Sequence, residues 1–174
     1  MSTWRFVLVA AAAALAVPAV AAAKGPSEAT ITGPGISVVT PLTISGNGEG
    51  DTSTDLGLLV ADAGFFPQVF GQSPSPLLRA QPANLGPRYG VTYTVPGGTI
   101  SALEQDLYPF AAGAPVSYMR PGQKFWDTQS TVGGWYRGTG QLKAMLIKSG
   151  LPSSAPPERD YIAVLLRTIL RHFS

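Results

Sequence analysis

Two carboxylates in the middle of the chain have the spacing of an acid–base pair. Glu104 and Asp106 are two residues apart in a stretch that we expect to be a β-strand, so both side chains would project from one face of it, roughly 6–7 Å apart. Two carboxyl groups at such a separation can hydrolyse a glycosidic bond. Because paired carboxylates are also common on solvated strand faces, we assign no catalytic residue and keep a glycan or peptide hydrolase as the alternative function.

A second candidate site is aromatic. Trp126, Trp135, Tyr136 and Arg137 lie in the part of the chain where aromatic residues are densest. Exposed rings of this kind stack on sugars or peptides, whereas buried rings belong to an ordinary core. We select these four residues as candidate ligand-binding residues and leave the choice between exposure and burial open.

A polar, glycine-rich stretch at residues 46–55 offers oxygen ligands. Asn47, Glu49, Asp51 and Asp55 are spaced as side chains that could bind calcium. The pattern departs from an EF-hand loop, because Thr52 stands where the glycine of that loop would be. We prefer an exposed loop as the interpretation, assign no metal site, and leave calcium binding open.

Other chemistry is limited by residue types that are rare or absent. His172 is the single histidine, and cysteine is absent. A Ser-His-Asp triad would need His172 to be ordered and buried beside a serine, and nothing in the sequence supports that. The lack of cysteine excludes thiolate metal sites, cysteine nucleophiles and disulfides. The common hydrolase, zinc, phosphate-loop and dinucleotide motifs are also missing, so we predict no cofactor.

The first 23 residues have the pattern of a secretory signal peptide. Arg5 supplies a positive charge, residues 6–17 are apolar, and small residues lead up to Ala23, after which we expect cleavage. The apolar stretch is shorter than the roughly 20 residues of a membrane span. We therefore expect a secreted or wall-associated protein without a transmembrane anchor, with residues 24–174 as a single exported domain.

The charge pattern restricts the partners. The formal net charge is only +2, which does not suggest nucleic acid. Acidic side chains dominate before residue 110 and basic ones after it. A solvated face is the simpler interpretation, and contact with an anionic wall polymer is the alternative. A cell-wall polymer or an envelope protein is the partner that we consider, and the oligomeric state stays open.

The carboxylate pair needs a hairpin to position it. Tyr89, Val91, Tyr93 and Val95 alternate with small or polar residues, as expected for a strand with one buried face. Residues 96–98, Pro-Gly-Gly, suit a turn, and residues 99–108 form the predicted return strand. We predict a central β-hairpin over residues 88–108.

The remaining pattern indicates an α+β fold. A mainly antiparallel sheet would be covered by a short helix at residues 54–63 and by two C-terminal helices. The last of these is strongly amphipathic and would pack on the core or on a partner. The predicted ranges are 29–32, 36–45 (as an edge strand or bent at Pro41), 115–119, 124–128 and 131–137 for further strands, and 139–149 and 158–173 for the C-terminal helices.

Four strings together resemble a group of secreted proteins from high-GC Gram-positive bacteria. They are TITGPG at 30–35, LGPRYGVTYTVP at 85–96, QDLYPFA at 105–111 and GGWYR at 133–137. The resemblance implies export and a single domain, and it carries no activity, ligand or functional residue. With the composition, it leads us to expect an exported protein of the cell envelope or the extracellular space that acts as a non-enzymatic binding or structural module.

Overall fold

The structure is a computed structural model that describes residues 25–99 and 102–157. The predicted signal peptide at residues 1–23 and the predicted helix at residues 158–173 lie outside the described residues.

The fold is α+β with a mainly antiparallel sheet, as predicted. Six strands form the main sheet in the order β2-β1-β3-β4-β5-β8, and β6 and β7 form a separate two-stranded sheet. The strands are β1 Glu28–Thr32, β2 Leu42–Ser45, β3 Tyr89–Thr94, β4 Ala102–Tyr108, β5 Val116–Met119, β6 Lys124–Phe125, β7 Gln129–Ser130 and β8 Gly134–Arg137.

The predicted hairpin is at the centre of the main sheet. Strands β3 and β4 pair antiparallel from Tyr89 opposite Leu107 to Thr94 opposite Ala102. The side chains of Tyr89, Val91, Tyr93 and Val95 are all at most 2% exposed, which confirms the inward face. The structure describes the return strand over Ala102–Tyr108, and Thr99 lies before it, in a loop whose two glycines have positive φ.

Within the described residues, three helices cover one face of the sheet: α1 Asp55–Asp62, α2 Phe65–Phe70 and α3 Gly140–Lys148. The Thr54 hydroxyl accepts a hydrogen bond from the Gly57 amide, and the Thr139 hydroxyl accepts one from the Gln141 amide. These N-caps satisfy amides that have no partner within the helix, so α1 and α3 begin where the sequence predicted.

Helix α2 was not predicted. It follows α1 after Gly64, which has φ +68°, a conformation that glycine adopts without steric cost. Phe65, at 1% exposure, lies against Tyr93 with ring centroids 4.8 Å apart. Phe65 and Val69 of this short helix therefore belong to the core, whereas Phe70 is 39% exposed.

The core fills the space between the helices and the inward face of the sheet. It is formed by buried apolar side chains of β1, β3 and β4 together with those of all three helices. Leu142, Met145 and Leu146 of α3 face inward. The opposite face of the sheet, which we call the open face, carries the alternate residues of each strand, and those on β3 are mostly exposed.

Two predicted strands are shorter than expected. The run at residues 36–45 forms a strand only at Leu42–Ser45, on the edge of the sheet, after Pro41. The run at residues 131–137 forms a strand only from Gly134, because at Gly133 the backbone of Met119 and Pro121 comes too close for any side chain. Gly133 thus marks a close backbone contact.

Residues 124–128 do not continue as an extended strand. After Phe125 the chain turns through Trp126 and Asp127, which have φ of +45° and +61°. The turn is held from outside: the Trp126 indole donates to the Pro96 carbonyl at 2.9 Å, and the Asp127 carboxylate accepts from the Thr99 amide at 3.0 Å. Tertiary hydrogen bonds therefore override the local preference for an extended chain.

Candidate functional site

One row of residues crosses the open face over five strands. Direct antiparallel partners run from Thr32 to Gly90, Asp106, Tyr118 and Trp135. Directly opposed residues share a face of the sheet, and four interstrand steps cover about 19 Å. We call these five residues the central row. Its middle is acidic and its β8 end is aromatic.

The predicted carboxylate pair lies in a shallow cavity on this face. Glu104 and Asp106 line a depression of about 260 Å³, together with Arg88, Gly90 and Thr92. We call this cavity the acidic depression. The same two carboxylates also line a smaller cavity of about 40 Å³ towards Tyr118 and Arg120. Both carboxylates thus face the same open surface, as the period of a strand requires.

Glycine at position 90 opens the floor of the acidic depression. A Cβ atom at this position would lie 3.3 Å from the Thr32 hydroxyl. Its strand neighbours on the same face, Thr92 and Arg88, both carry side chains. The missing side chain therefore leaves a gap in the open face, bounded by hydroxyl, guanidinium and carboxylate groups.

The two carboxylates are held differently. A guanidinium nitrogen of Arg88 lies 3.1 Å from an Asp106 oxygen, with the Arg88 side chain 66% exposed. An exposed pair of this kind contributes little to stability, but it orients both groups. Glu104 is held by its backbone: its amide donates to the Gln123 side chain at 2.8 Å, and that side chain donates back to the Glu104 carbonyl at 2.7 Å.

Three aromatic side chains stand beside the acidic depression. The Trp135 ring lies between Tyr118, at 4.6 Å between ring centroids, and Tyr108, at 5.9 Å. The planes are tilted by 35° and 34°, and all three side chains are half-buried. We call these residues the aromatic ladder. Each ring supports the next, so the ladder is a rigid surface on which a ligand can stack.

The depression and the ladder interact electrostatically through Tyr108. Burial raises the pKa of its hydroxyl, the nearby Asp106 carboxylate raises it further, and the Arg88 guanidinium lowers it. The Tyr108 hydroxyl therefore keeps its proton at physiological pH and can both donate and accept a hydrogen bond. The two parts form one continuous surface with both hydrogen-bond donors and acceptors.

The structure separates the four predicted ligand-binding residues. Trp135 is in the aromatic ladder, and Arg137 is two residues further along β8 on the same face. Tyr136 points to the opposite face, where its ring covers Gly64. Trp126 lies in the β6–β7 turn, with Phe70 at 5.8 Å between ring centroids. Trp135 and Arg137 thus share the open face, and Tyr136 and Trp126 belong to packing on the helix side and at the turn.

Two ladder residues were not anticipated. Tyr108 follows Glu104 and Asp106 at period two, so its place on their face was readable from the sequence. Tyr118 reaches the ladder because β5 pairs with β4 so that Tyr118 is opposite Asp106. That register depends on long-range packing, and no local pattern gives it.

The polar loop at residues 46–55 uses its side chains for its own turns. The Asn47 side chain accepts from the Glu49 amide at 3.1 Å, and the Asp51 carboxylate accepts from the Ser53 amide at 3.0 Å. Hydrogen bonds from the Ser53 hydroxyl and amide lower the pKa of Asp51. Across residues 25–99 and 102–157, no group of three or more acidic or histidine side chains is arranged to hold a metal ion.

A buried polar network fixes the sheet to the helices. The Gln105 amide group donates to the Ala63 carbonyl at 2.9 Å and to the Gln68 side chain, and its oxygen accepts from the Tyr93 hydroxyl at 2.8 Å. Ser117 also donates to the Ala63 carbonyl, at 2.6 Å. We call Gln68, Tyr93, Gln105 and Ser117 the glutamine network. It joins β3, β4 and β5 to the α1–α2 junction and so fixes the register that builds the open face.

No family model, curated protein or solved structure matched this chain in three comparisons. Within the described part of the chain, no helix is both long enough and apolar enough to cross a membrane.

Proposed function

We propose that this chain is an exported protein of the cell envelope that binds a wall polymer on its open face without catalysing a reaction. The aromatic ladder carries the proposal, because Trp135 is held between Tyr118 and Tyr108 on a sheet face that no helix covers among the described residues. Aromatic rings supply large rigid contact areas at a low entropic cost.

The shape of the site favours an extended ligand over a small molecule. The acidic depression holds about 260 Å³, just below the range of about 300–1,000 Å³ that is usual for enclosed small-molecule sites. The central row, in contrast, extends over about 19 Å of sheet. A polymer that lies along the surface uses both the depression and the ladder.

Export rests on the sequence. The signal-peptide pattern of residues 1–23 and the resemblance to secreted proteins of high-GC Gram-positive bacteria support it. Cell fractionation followed by N-terminal sequencing tests it directly. We expect the mature chain outside the cytoplasmic membrane, beginning at Lys24, and a cytoplasmic full-length chain would contradict export.

Hydrolysis by Glu104 and Asp106 is the second candidate function. Its support is that both carboxylates line both cavities. Binding is favoured, because Asp106 is paired with Arg88 and Glu104 is exposed, whereas a general acid needs a site that withholds water from its carboxyl group. Release of soluble fragments from purified walls, abolished by Glu104→Gln, would establish the hydrolase instead.

Co-sedimentation with purified cell walls tests binding. The Trp135→Ala variant should lose about tenfold or more in affinity, as expected for removal of a central aromatic anchor. Phe70→Leu is the matched control, because Phe70 is also a partly exposed aromatic residue, 39% accessible, but belongs to α2. Wild-type affinity in Trp135→Ala, or equal losses in both variants, would overturn the proposal.

A further inference from the structure

We infer that the ligand is a neutral linear glycan whose chain crosses the strands, with one unit in the acidic depression and another on the aromatic ladder. This inference rests on the proposed binding function and adds the ligand class, its direction and a second subsite.

The direction follows from the register. Gly90, Asp106, Tyr118 and Trp135 are successive partners on β3, β4, β5 and β8. The floor of the depression and the indole are therefore three interstrand steps apart, about 14 Å. A chain laid along a single strand would reach one of the two features, whereas a chain laid across the strands reaches both.

The ligand class follows from the groups around the depression. Sugar hydroxyls can donate to the Glu104 and Asp106 carboxylates, and they can accept from Arg88 and from the Thr32 and Thr92 hydroxyls, all of which line the depression. Hydrogen bonds to ionised groups are stronger than those between neutral groups. A ligand rich in hydroxyls satisfies these groups without bringing a charge of its own.

The charges around the depression disfavour a polyanion. Two carboxylates, Glu104 and Asp106, line the two cavities with two guanidinium groups, Arg88 and Arg120. The two guanidinium groups are thus balanced by the two carboxylates, and the Arg88 guanidinium is already paired with Asp106. A phosphate-bearing wall polymer would meet both carboxylates, which makes neutral sugar units the better fit.

A series of uncharged N-acetylhexosamine oligomers, from monosaccharide to hexasaccharide, tests the inference by calorimetry. Short oligomers fill one subsite, and longer ones span both, so affinity should rise about tenfold or more once the oligomer covers the distance from Gly90 to Trp135. Gly90→Val should remove that gain, because the new side chain fills the depression and leaves only the subsite on the aromatic ladder.

Thr30→Val is the matched control, since Thr30 is on the open face next to Thr92 and outside the residues lining the depression. It should bind every oligomer as the wild type does. Two results would show that the glycan does not cross the strands. One is an affinity that does not depend on oligomer length, and the other is a Gly90→Val variant whose affinity still rises with oligomer length. Tighter binding of a glycerol-phosphate polymer than of the neutral hexasaccharide would overturn the ligand class.

Failure of the inference is distinguishable from failure of the proposed function. If walls sediment the protein through Trp135 but no neutral oligomer binds, the ligand class is wrong and binding at the ladder stands. If Trp135→Ala has no effect on wall binding, both are wrong.

Discussion

Asp106 on β4 and Tyr118 on β5 are directly opposite each other across neighbouring strands. This pairing places the acidic depression and the aromatic ladder in one row of the open face. Asp106 is tied to Arg88 on one side, and Tyr118 supports the Trp135 ring on the other. The register between β4 and β5 therefore joins the two parts of the candidate site, and a slip of β5 by one residue would turn Tyr118 to the other face of the sheet.

The glutamine network should be the most sensitive polar feature of the fold. Gln105→Leu would leave the Tyr93 hydroxyl without its acceptor and the Gln68 side-chain oxygen without its donor in the core. An unsatisfied buried group costs about 1–3 kcal/mol, so we expect the free energy of unfolding to fall by about 2–4 kcal/mol in urea titrations.

The same substitution at an exposed glutamine is the control. Gln72→Leu changes an exposed side chain in the loop after α2 and should alter the free energy of unfolding by no more than about 0.5 kcal/mol. Equal effects of Gln105→Leu and Gln72→Leu would show that the network does not stabilise the fold.

Alkaline pH should destabilise the protein through its buried tyrosines. Burial raises the pKa of Tyr89 to about 12 and raises that of Tyr93 further. The two tyrosines contribute fully to the free energy of unfolding below their unfolded-state pKa of about 10. That contribution declines as the pH rises towards their pKa in the folded state. The free energy of unfolding should fall by about 1.4 kcal/mol per pH unit for each tyrosine that keeps its proton only in the folded state.

Tyr93→Phe separates this effect from the hydrogen bond. Near neutral pH the variant should be less stable by about 1 kcal/mol, because the bond to Gln105 is lost. Above pH 10 its stability should decline less steeply than that of the wild type. Parallel curves of unfolding midpoint against pH would contradict the assignment of the alkaline loss to Tyr93.

The junction between α1 and α2 should not accept a side chain. Gly64 has φ +68°, and a Cβ atom there would overlap the Tyr136 ring. Gly64→Ala should therefore cost about 3 kcal/mol or more, from both the backbone conformation and the clash. Gly122 also has positive φ, +82°, but has no atom within 4 Å of the added carbon. Gly122→Ala should cost only about 1–2 kcal/mol, and equal losses would rule out the clash.

Arg88 should matter for binding and not for folding. Its side chain is 66% exposed and pairs with a partly exposed Asp106, so Arg88→Ala should change the free energy of unfolding by less than about 1 kcal/mol. Because it removes a hydrogen-bond donor from the acidic depression, wall binding should weaken several-fold. A large loss of thermal stability would show that the residue is structural.

The sequence predicted the elements whose pattern is local. Alternation indicated the inward face from Tyr89 to Val95, and the predicted ranges 54–63 and 139–149 begin at the observed N-caps of α1 and α3. Helix α2 was not predicted because it has only six residues and contains Pro67. Six residues are too few to show a helical repeat of apolar residues, and proline has the lowest helix propensity. The turn at Trp126 was not predicted because a backbone carbonyl that is distant in the sequence, that of Pro96, holds it.

Only the part of the candidate site that depends on local pattern could be predicted from the sequence. Glu104 and Asp106 share a face because strands have period two, and the structure confirms this. Sequence neighbours such as Trp135 and Tyr136 point to opposite faces by the same rule, so the aromatic cluster of the sequence divides between ladder and core. Tyr118 could be placed only by strand register, which the buried network and the core determine together.

Chemical-shift mapping of the isotope-labelled protein during titration with solubilised wall glycan tests the central claim most directly. We expect the largest amide shifts at the central row, from Gly90 through Asp106 and Tyr118 to Trp135, with the helix α3 amides unchanged. Shifts centred on the helices or on the Phe70 surface, or no shifts at saturating glycan, would contradict binding on the open face.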